Sequence, residues 1–364
     1  MRRYVAVVFL IVTAACAPRP EIVRHDDDAL AARPVFVGTT RGADPQTGHD
    51  FSFTRTEKVR FARFDVSIPS ERDPGEISYP PKTRAPDPAQ DFLVTRQEVY
   101  AGPAGFEGDL RRTLAQGGGE AVVFVHGYNN NFAEGLYRVA QLGHDLKVPG
   151  VLVHYSWPSR ARAMGYAYDR DSALFARDGL ERLLTEVRAA GARRITIVAH
   201  SMGSALTMEV LRQMAIGGKD MAASRIDAVV LISPDLDVDV FRMQAHRIGR
   251  LPQPFLIFTS ERDRALQLAA RLTGEPARLG TLGDIGRVAD LKVTMVEVGA
   301  FSIGEGHFNI ARSPALIALL GDTGEVAAVL EGDQRGRTGL VPGVILTVQE
   351  ATRVVLAPVE GLAN

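Results

Sequence analysis

Apolar positions along this chain switch between two periods. Short continuous apolar runs, the mark of fully covered strands, occur at Ala121 to Gly127 ("AVVFVHG"), Val151 to Trp157 ("VLVHYSW"), Arg194 to His200 ("RITIVAH"), Ile226 to Pro234, Pro254 to Ser260 and Leu291 to Gly299. Between them, apolar residues recur at helical spacing. These stretches are Phe132 to Leu146, the region after Pro158 to about Ala190, Ser201 to Met214, Val238 to Ile248 and Arg264 to Leu272, with a further helix from Pro314. Regular alternation of this kind predicts an α/β architecture: a mostly parallel central sheet, helices on both faces and right-handed crossovers.

The flanks are less regular. Strand-like runs begin at Pro34 ("VFVGTT"), span Val59 to Ile68 and end at Tyr100 ("DFLVTRQEVY"). Six prolines between Pro69 and Pro88 demand an extended loop, or a strand bounded by turns. Leu340 to Ala357 is apolar and β-branched and suits a strand or a packing helix.

Composition narrows the picture a little. The chain has 364 residues, enough for one large domain or two ordinary ones, and its 46% apolar content can fill a sizeable core. A formal charge of -1 offers no basic face for nucleic acid. At the N-terminus, Arg2 and Arg3 precede a short apolar run, Tyr4 to Ala15, which has the form of a signal peptide and is too short for a comfortable membrane span. It ends in Thr13-Ala14-Ala15-Cys16, which resembles a bacterial lipobox, with Thr13 where leucine is usual. Cys16 is the only cysteine. Its acylation would leave no thiol for disulfides or catalysis, and removal of residues 1–15 would bring the charge to -3. The expected organisation is a signal peptide over 1–15, a flexible tether over 16–33, one α/β domain over 34–320 and a C-terminal extension over 321–364. The expected location is the cell envelope, lipid-anchored and facing the periplasm. Ala17 is not the aspartate that often retains lipoproteins on the inner membrane, which points to the outer one.

Candidate chemistry centres on Ala199-His200-Ser201-Met202-Gly203, where a strand runs straight into a helix. A serine on such a turn adopts a strained backbone that lifts its hydroxyl above the sheet, and the residues two positions away must be small. Gly203 meets that need, and Ala199 adds one methyl group. A serine capping a helix would give the same letters. The base must follow the serine. Of eight histidines only His246 and His307 do so. His246 falls inside a helix, whereas His307 lies in "IGEGHFN", a glycine-rich loop after the last parallel strand. Asp263, after the penultimate strand, is the expected acid, although it equally suits an N-cap for the Arg264 helix. Glu261 and Asp235 are its rivals. The oxyanion donors are expected to be the backbone N–H groups of Met202 and Tyr128, the latter in the His126-Gly127 loop. His126 is expected to support that loop. The asparagine run from Asn129 either caps a helix or contacts substrate, and Trp157, the only tryptophan, either lines a substrate pocket or sits in the core. Tyr128, Asn129 and Trp157 are carried as candidate substrate contacts.

Together these motifs resemble the bacterial α/β-hydrolases of the domain-of-unknown-function 900 group. The matching stretches are "VFVGTTR", "VSIP", "FVHGYNNNF", "YSWPS" with "YDRDSA", "IVAHSMG", "SPDLDVDVF", "SERDRAL" and "GHF", in order over roughly residues 34–320. Alanine at the Ala199 position is usual in that group. The resemblance implies an α/β-hydrolase fold and esterase-like chemistry, with Ser201 as nucleophile, His307 as base and Asp263 as acid. No cofactor or metal is expected. The expected substrate is a small-molecule or lipid ester. Alternatives are a peptidase or acyltransferase on the same residues, or a non-catalytic envelope lipoprotein that uses the fold as a binding scaffold.

Overall fold

The computed structural model describes residues 19–27, 30–44, 50–274, 278–301, 307, 309–314, 317 and 340–358. Its strands are β1 (Ala32–Arg41), β2 (Arg55–Ser67), β3 (Leu93–Tyr100), β4 (Glu120–Val125), β5 (Val151–Ser156), β6 (Arg194–His200), β7 (Ile226–Ile232), β8 (Phe255–Thr259), β9 (Thr294–Glu297), β10 (Leu340–Val348) and β11 (Ala351–Pro358). They form one sheet in the order β10-β11-β9-β8-β7-β6-β4-β5-β1-β2-β3. From β11 through to β1 every pairing is parallel, and the two ends are antiparallel through β10–β11 and β1–β2–β3. The mostly parallel sheet expected from the alternating periods is therefore present.

Period-two burial on the central strands splits the core in two. On β4, Val123 and Val125 join one cluster with Leu183, Ile197, Leu206 and Phe241, while Phe124 joins the other with Leu136, Leu152 and Phe258. Helices α1 (Pro103–Gln116), α4 (Arg177–Ala189), α5 (Met202–Ile216) and α6 (Val238–Ile248) give side chains to the first cluster, and α2 (Phe132–Asp145) gives them to the second. Helix α3 (Tyr166–Phe175) lies against α5, α7 (Arg264–Thr273) follows β8, and α8 (Asn309–Arg312) follows His307. Covering both faces is what lets near-continuous apolar strands sit in the middle.

The structure departs from the sequence reading in several places. Helix α1 was not anticipated, although Pro103 at its start and buried Phe106, Leu110 and Leu114 at four-residue spacing are helix signals. The helical region after Pro158 begins only at Tyr166 and is interrupted at Ala176. Part of the expected tether lies along the body: His25 N–H donates to Val94 O at 3.0 Å, Val94 N–H to Val23 O at 2.9 Å, and the Arg19 guanidinium reaches Glu134 at 2.8 Å. The expected extension is strand, not helix, over its described part. Its hairpin β10–β11 joins the main sheet beside β9, so the domain boundary at 320 does not divide the sheet. The signal peptide, Cys16 and residues 321–339 lie outside the described residues. Among the described residues no helix is long and apolar enough to cross a membrane.

Candidate active site

Ser201 stands between β6 and α5 with φ 52° and ψ -122°, a conformation that L-residues rarely adopt. Holding it there costs about 1–3 kcal/mol, which neighbouring structure must offset. It does so through the main chain. Ser201 N–H donates to Ile232 O at 2.9 Å, and Ser201 O accepts from Ser204 N–H at 2.9 Å and from Asp235 N–H at 3.2 Å. Ser201 lies at the N-terminus of α5, and no side-chain cap bond is made there. The backbone is thus a strained turn and does not fit a serine that merely caps a helix.

The need for small neighbours is explicit in the packing. A Cβ on Gly203 would sit 2.4 Å from His126 O and 2.6 Å from Val125 O, at the end of β4. Backbone stands on both sides of that contact, so nothing can move aside cheaply. Ala199 is fully buried, and its carbonyl accepts from Ser204 Oγ at 3.0 Å. A methyl group fits where a Cβ on Gly203 could not.

The loop after β4 touches this turn. A Cβ on Gly127 would meet Ser201 Cβ at 3.0 Å and His200 Nδ1 at 2.6 Å. The next N–H along the loop belongs to Tyr128. Neither Tyr128 N–H nor Met202 N–H donates to an acceptor among the described residues. The loop is held from below: His126 stacks on Trp157 with ring centroids 4.7 Å apart and planes 10° from parallel. Trp157 Nε1–H donates to His126 O at 2.7 Å, while the His126 ring nitrogens face Gly127 O at 2.8 Å and Trp157 O at 3.0 Å. A neutral imidazole carries one ring proton, so only one of those two contacts is a hydrogen bond at a time. Burial, aided by Arg41 and His154, holds the His126 pKa well below the usual histidine range. Asn130 Nδ2 ties the loop to itself by donating to Gly127 O at 3.2 Å and Tyr128 O at 2.8 Å.

Asp263 and His307 meet across the end of the sheet, with Nδ1 to Oδ2 at 2.8 Å. Asp263 is fully buried, and its other oxygen, Oδ1, accepts from Leu266 N–H at 3.0 Å as the N-cap of α7. The His307 ring lies 4.8 Å from the ring of His200, the residue before Ser201. Burial, then repulsion from His307, pushes the His200 pKa well below its usual value.

The rivals are engaged elsewhere. Asp235 accepts from Tyr166 Oη at 2.8 Å and lies 3.4 Å from Arg278 Nε. Glu261 pairs with Arg353 at 2.8 Å. Trp157, carried as a substrate contact, is fully buried and supports the loop instead. The Asn129 side chain, also carried as a contact, accepts from Arg19 at 2.5 Å, and its N–H donates to Asp169 at 3.1 Å. Tyr128 Oη donates to Arg162 O at 3.3 Å and to Ala163 O, and its ring meets Tyr166 edge-on.

Two charged residues near the site have no counterpart in the sequence reading. Asp169 is fully buried and accepts from Ser159 Oγ at 2.6 Å, Arg160 N–H at 2.7 Å and Asn129 N–H at 3.1 Å. Burial raises its pKa despite those donors. Arg41, at the end of β1, donates to Asn130 O at 2.8 Å, Ser156 Oγ at 2.8 Å and Ser159 O at 3.1 Å. Burial lowers its pKa to about 10, against the attraction of Asp169, so it stays charged at neutral pH. It clamps the loop after β4 to the loop after β5.

The family model for α/β hydrolases of unknown function (DUF900) matches residues 103–321, and the chain belongs to that family. Among solved structures it is similar to an esterase from the archaeon Pyrobaculum calidifontis, at 14% identity over 74% of this chain and 82% of that one, with a TM-score of 0.35. It is also similar to a thermophilic esterase from Thermogutta terrifontis, at 13% identity over 79% of this chain and 94% of that one, with a TM-score of 0.32. A monoacylglycerol lipase from Paleococcus ferrophilus matches at 15% identity over 49% of this chain and 83% of that one, with a TM-score of 0.32. No curated protein matches the chain.

Proposed function

We propose that this member of the α/β-hydrolase family cleaves carboxylic esters through an acyl-enzyme on Ser201. Ser201 Oγ bonds to the ester carbonyl carbon as its proton passes to His307 Nε2. Asp263, bonded to His307 Nδ1, steadies the imidazolium. The N–H groups of Met202 and Tyr128 receive the oxyanion, helped by the positive end of α5. Collapse of the tetrahedral intermediate breaks the bond to the leaving alcohol, which takes the proton back from His307. Water, deprotonated by His307, then attacks the acyl-enzyme and releases the acid and free Ser201.

The observation that carries this reading is the His307–Asp263 contact at 2.8 Å, made beside the His200 ring that adjoins the strained Ser201 turn. Labelling with a fluorophosphonate tests the reading. Folded wild-type protein should label at Ser201, and Ser201→Ala should not. Absence of labelling on folded wild type would sink it. A series of p-nitrophenyl esters of increasing acyl length then separates esterase from lipase behaviour.

We also propose lipid attachment at Cys16 to the envelope, supported by Arg2, Arg3 and the apolar run before the cysteine. Single-chain acylation alone gives marginal membrane binding, so stable attachment needs the two or more chains a lipoprotein carries. Cys16→Ser should move the protein from the membrane to the soluble fraction. Unchanged fractionation contradicts attachment.

A further inference from the structure

A cavity of ≈ 640 Å³ opens between the N-terminal segment, the ends of β1 and β2, and the start of α2. Its walls include Phe51, Phe53 and Phe132, and Arg19, Arg41 and Arg160 also line it. Ser201, Asp263 and His307 are not among the residues that line it.

Two of these three cations touch no carboxylate among the described residues. Arg41 is 1% exposed, yet its contacts are all neutral oxygens: Asn130 O, Ser52 O, Ser156 Oγ and Ser159 O. Its closest acid in this network, Asp169, stands behind Ser159. Arg160 is further from balance. Its Nε is buried with no hydrogen-bond partner, and its guanidinium carbon rests 5.5 Å from the Phe53 ring and 5.3 Å from that of Tyr168. Arg19 is taken by Glu134. The acids at the cavity wall are also committed: Glu21 to Lys82 at 2.8 Å and Asp50 to Arg60 at 3.6 Å, with Asp44 engaged as well.

A guanidinium held on aromatic faces with no hydrogen-bond partner among the described residues, as at Arg160, suits an oxyanion that accepts two hydrogen bonds at once. The phenylalanine walls suit an apolar body attached to it. We propose that this cavity is a binding site for an amphipathic anion: a carboxylate or phosphate head carried on an aromatic or acyl body. The head meets Arg160, with the charge of buried Arg41 in the same wall, and the body lies against Phe53, Phe51 and Phe132. The site is separate from the ester chemistry proposed for Ser201, and its test does not depend on that chemistry.

Calorimetric titration with phenyl phosphate, benzoate, inorganic phosphate and phenol provides the test. Phenyl phosphate or benzoate should bind wild-type protein, with inorganic phosphate and phenol each weaker by about tenfold or more, because each lacks one half of the match. Whichever of phenyl phosphate and benzoate binds more tightly identifies the head. Arg160→Met should weaken binding by about tenfold or more, since a charge-assisted contact is lost, and Arg160→Lys should fall between. The Arg160 side chain makes no hydrogen bond among the described residues, so neither variant breaks one, and with only its ring contacts altered both should melt within a few degrees of wild type. Should Arg160→Met fail to fold, rising salt must weaken phenyl phosphate binding to wild type while leaving phenol unaffected. No binding of either amphipathic anion, or equal binding by wild type and folded Arg160→Met, overturns the site.

Discussion

Asp263 serves two partners with its two oxygens. Oδ1 caps α7 by accepting from Leu266 N–H at 3.0 Å, and Oδ2 faces His307 Nδ1 at 2.8 Å. The helix cap fixes the carboxylate's rotation, and that rotation aims the second oxygen at the imidazole. The two readings of Asp263 open at the sequence level, cap and acid, describe one residue.

That division separates the two roles by mutation. Asp263→Asn can still cap α7 through its amide oxygen but then presents an N–H, a donor, to His307. Ester hydrolysis should fall by about 10³–10⁴-fold, as expected when the imidazole is held in the wrong tautomer, with stability changed by less than about 1 kcal/mol. Asp263→Ala should lose similar activity and about 1 kcal/mol more stability through the missing cap. Urea denaturation and p-nitrophenyl acetate turnover on both variants measure this. Hydrolysis by Asp263→Asn within about tenfold of wild type would remove the residue from the mechanism.

The turn around Ser201 predicts asymmetric tolerance. Gly203→Ala drives a methyl group into backbone oxygens of β4 and should cost about 1–3 kcal/mol, with activity lost as the β4 loop shifts. Ala199→Gly removes one buried methyl group, so it should cost about 1 kcal/mol and keep most activity. Thermal melts and turnover of the pair decide the matter; equal effects would show that the turn needs something other than smallness.

Trp157 supplies a third prediction. Trp157→Phe removes the Nε1–H bond to His126 O and thins the stack beneath the loop. Stability should drop by about 1–3 kcal/mol, the usual cost of leaving a buried acceptor unpaired. Turnover should fall by the same factor for every acyl length, because the fully buried indole supports the loop after β4 from beneath. A change in chain-length preference would restore the pocket role.

The buried histidines make stability depend on acid. Burial lowers the His154 pKa from 6.5 to about 3, and holds His126 and His200 well below their usual range. The unfolded chain takes up these protons near pH 6.5 and the folded chain does not. Stability is therefore full above pH 6.5 and declines below it, by up to about 1.4 kcal/mol per pH unit for each histidine. For His154 the decline continues to about pH 3. Urea midpoints measured from pH 8 to pH 4 should show it, and His154→Gln should flatten the slope by about one histidine's share. An unchanged slope in His154→Gln would contradict the assignment.

Much of this molecule was readable from residue order. The parallel strands of the centre announced themselves because a strand covered on both faces must be apolar throughout. The tight strand-to-helix turn at Ser201 and Gly203 was legible from the small residues around the serine. Helix α1 was missed despite its signals, since its apolar residues are few and its exposed face is strongly polar. The irregular stretch from Pro158 to Gly165 looked helical, yet Ala161 with φ 55° and the Asp169 bonds hold it as a loop.

What the sequence determined is the set of local demands: which segments are strands, where the turn must be tight, and which residues have suitable chemistry. Tertiary structure alone decided which acid meets His307, because Asp263, Glu261 and Asp235 are all carboxylates beside strand ends and differ in where their strand ends and helix caps point them. It also decided that Trp157 and Asn129 brace the loop, and that Arg41 is buried behind it. Those contacts join residues 31 to 118 positions apart, and no local period records a meeting that only the stacking of the whole sheet brings about.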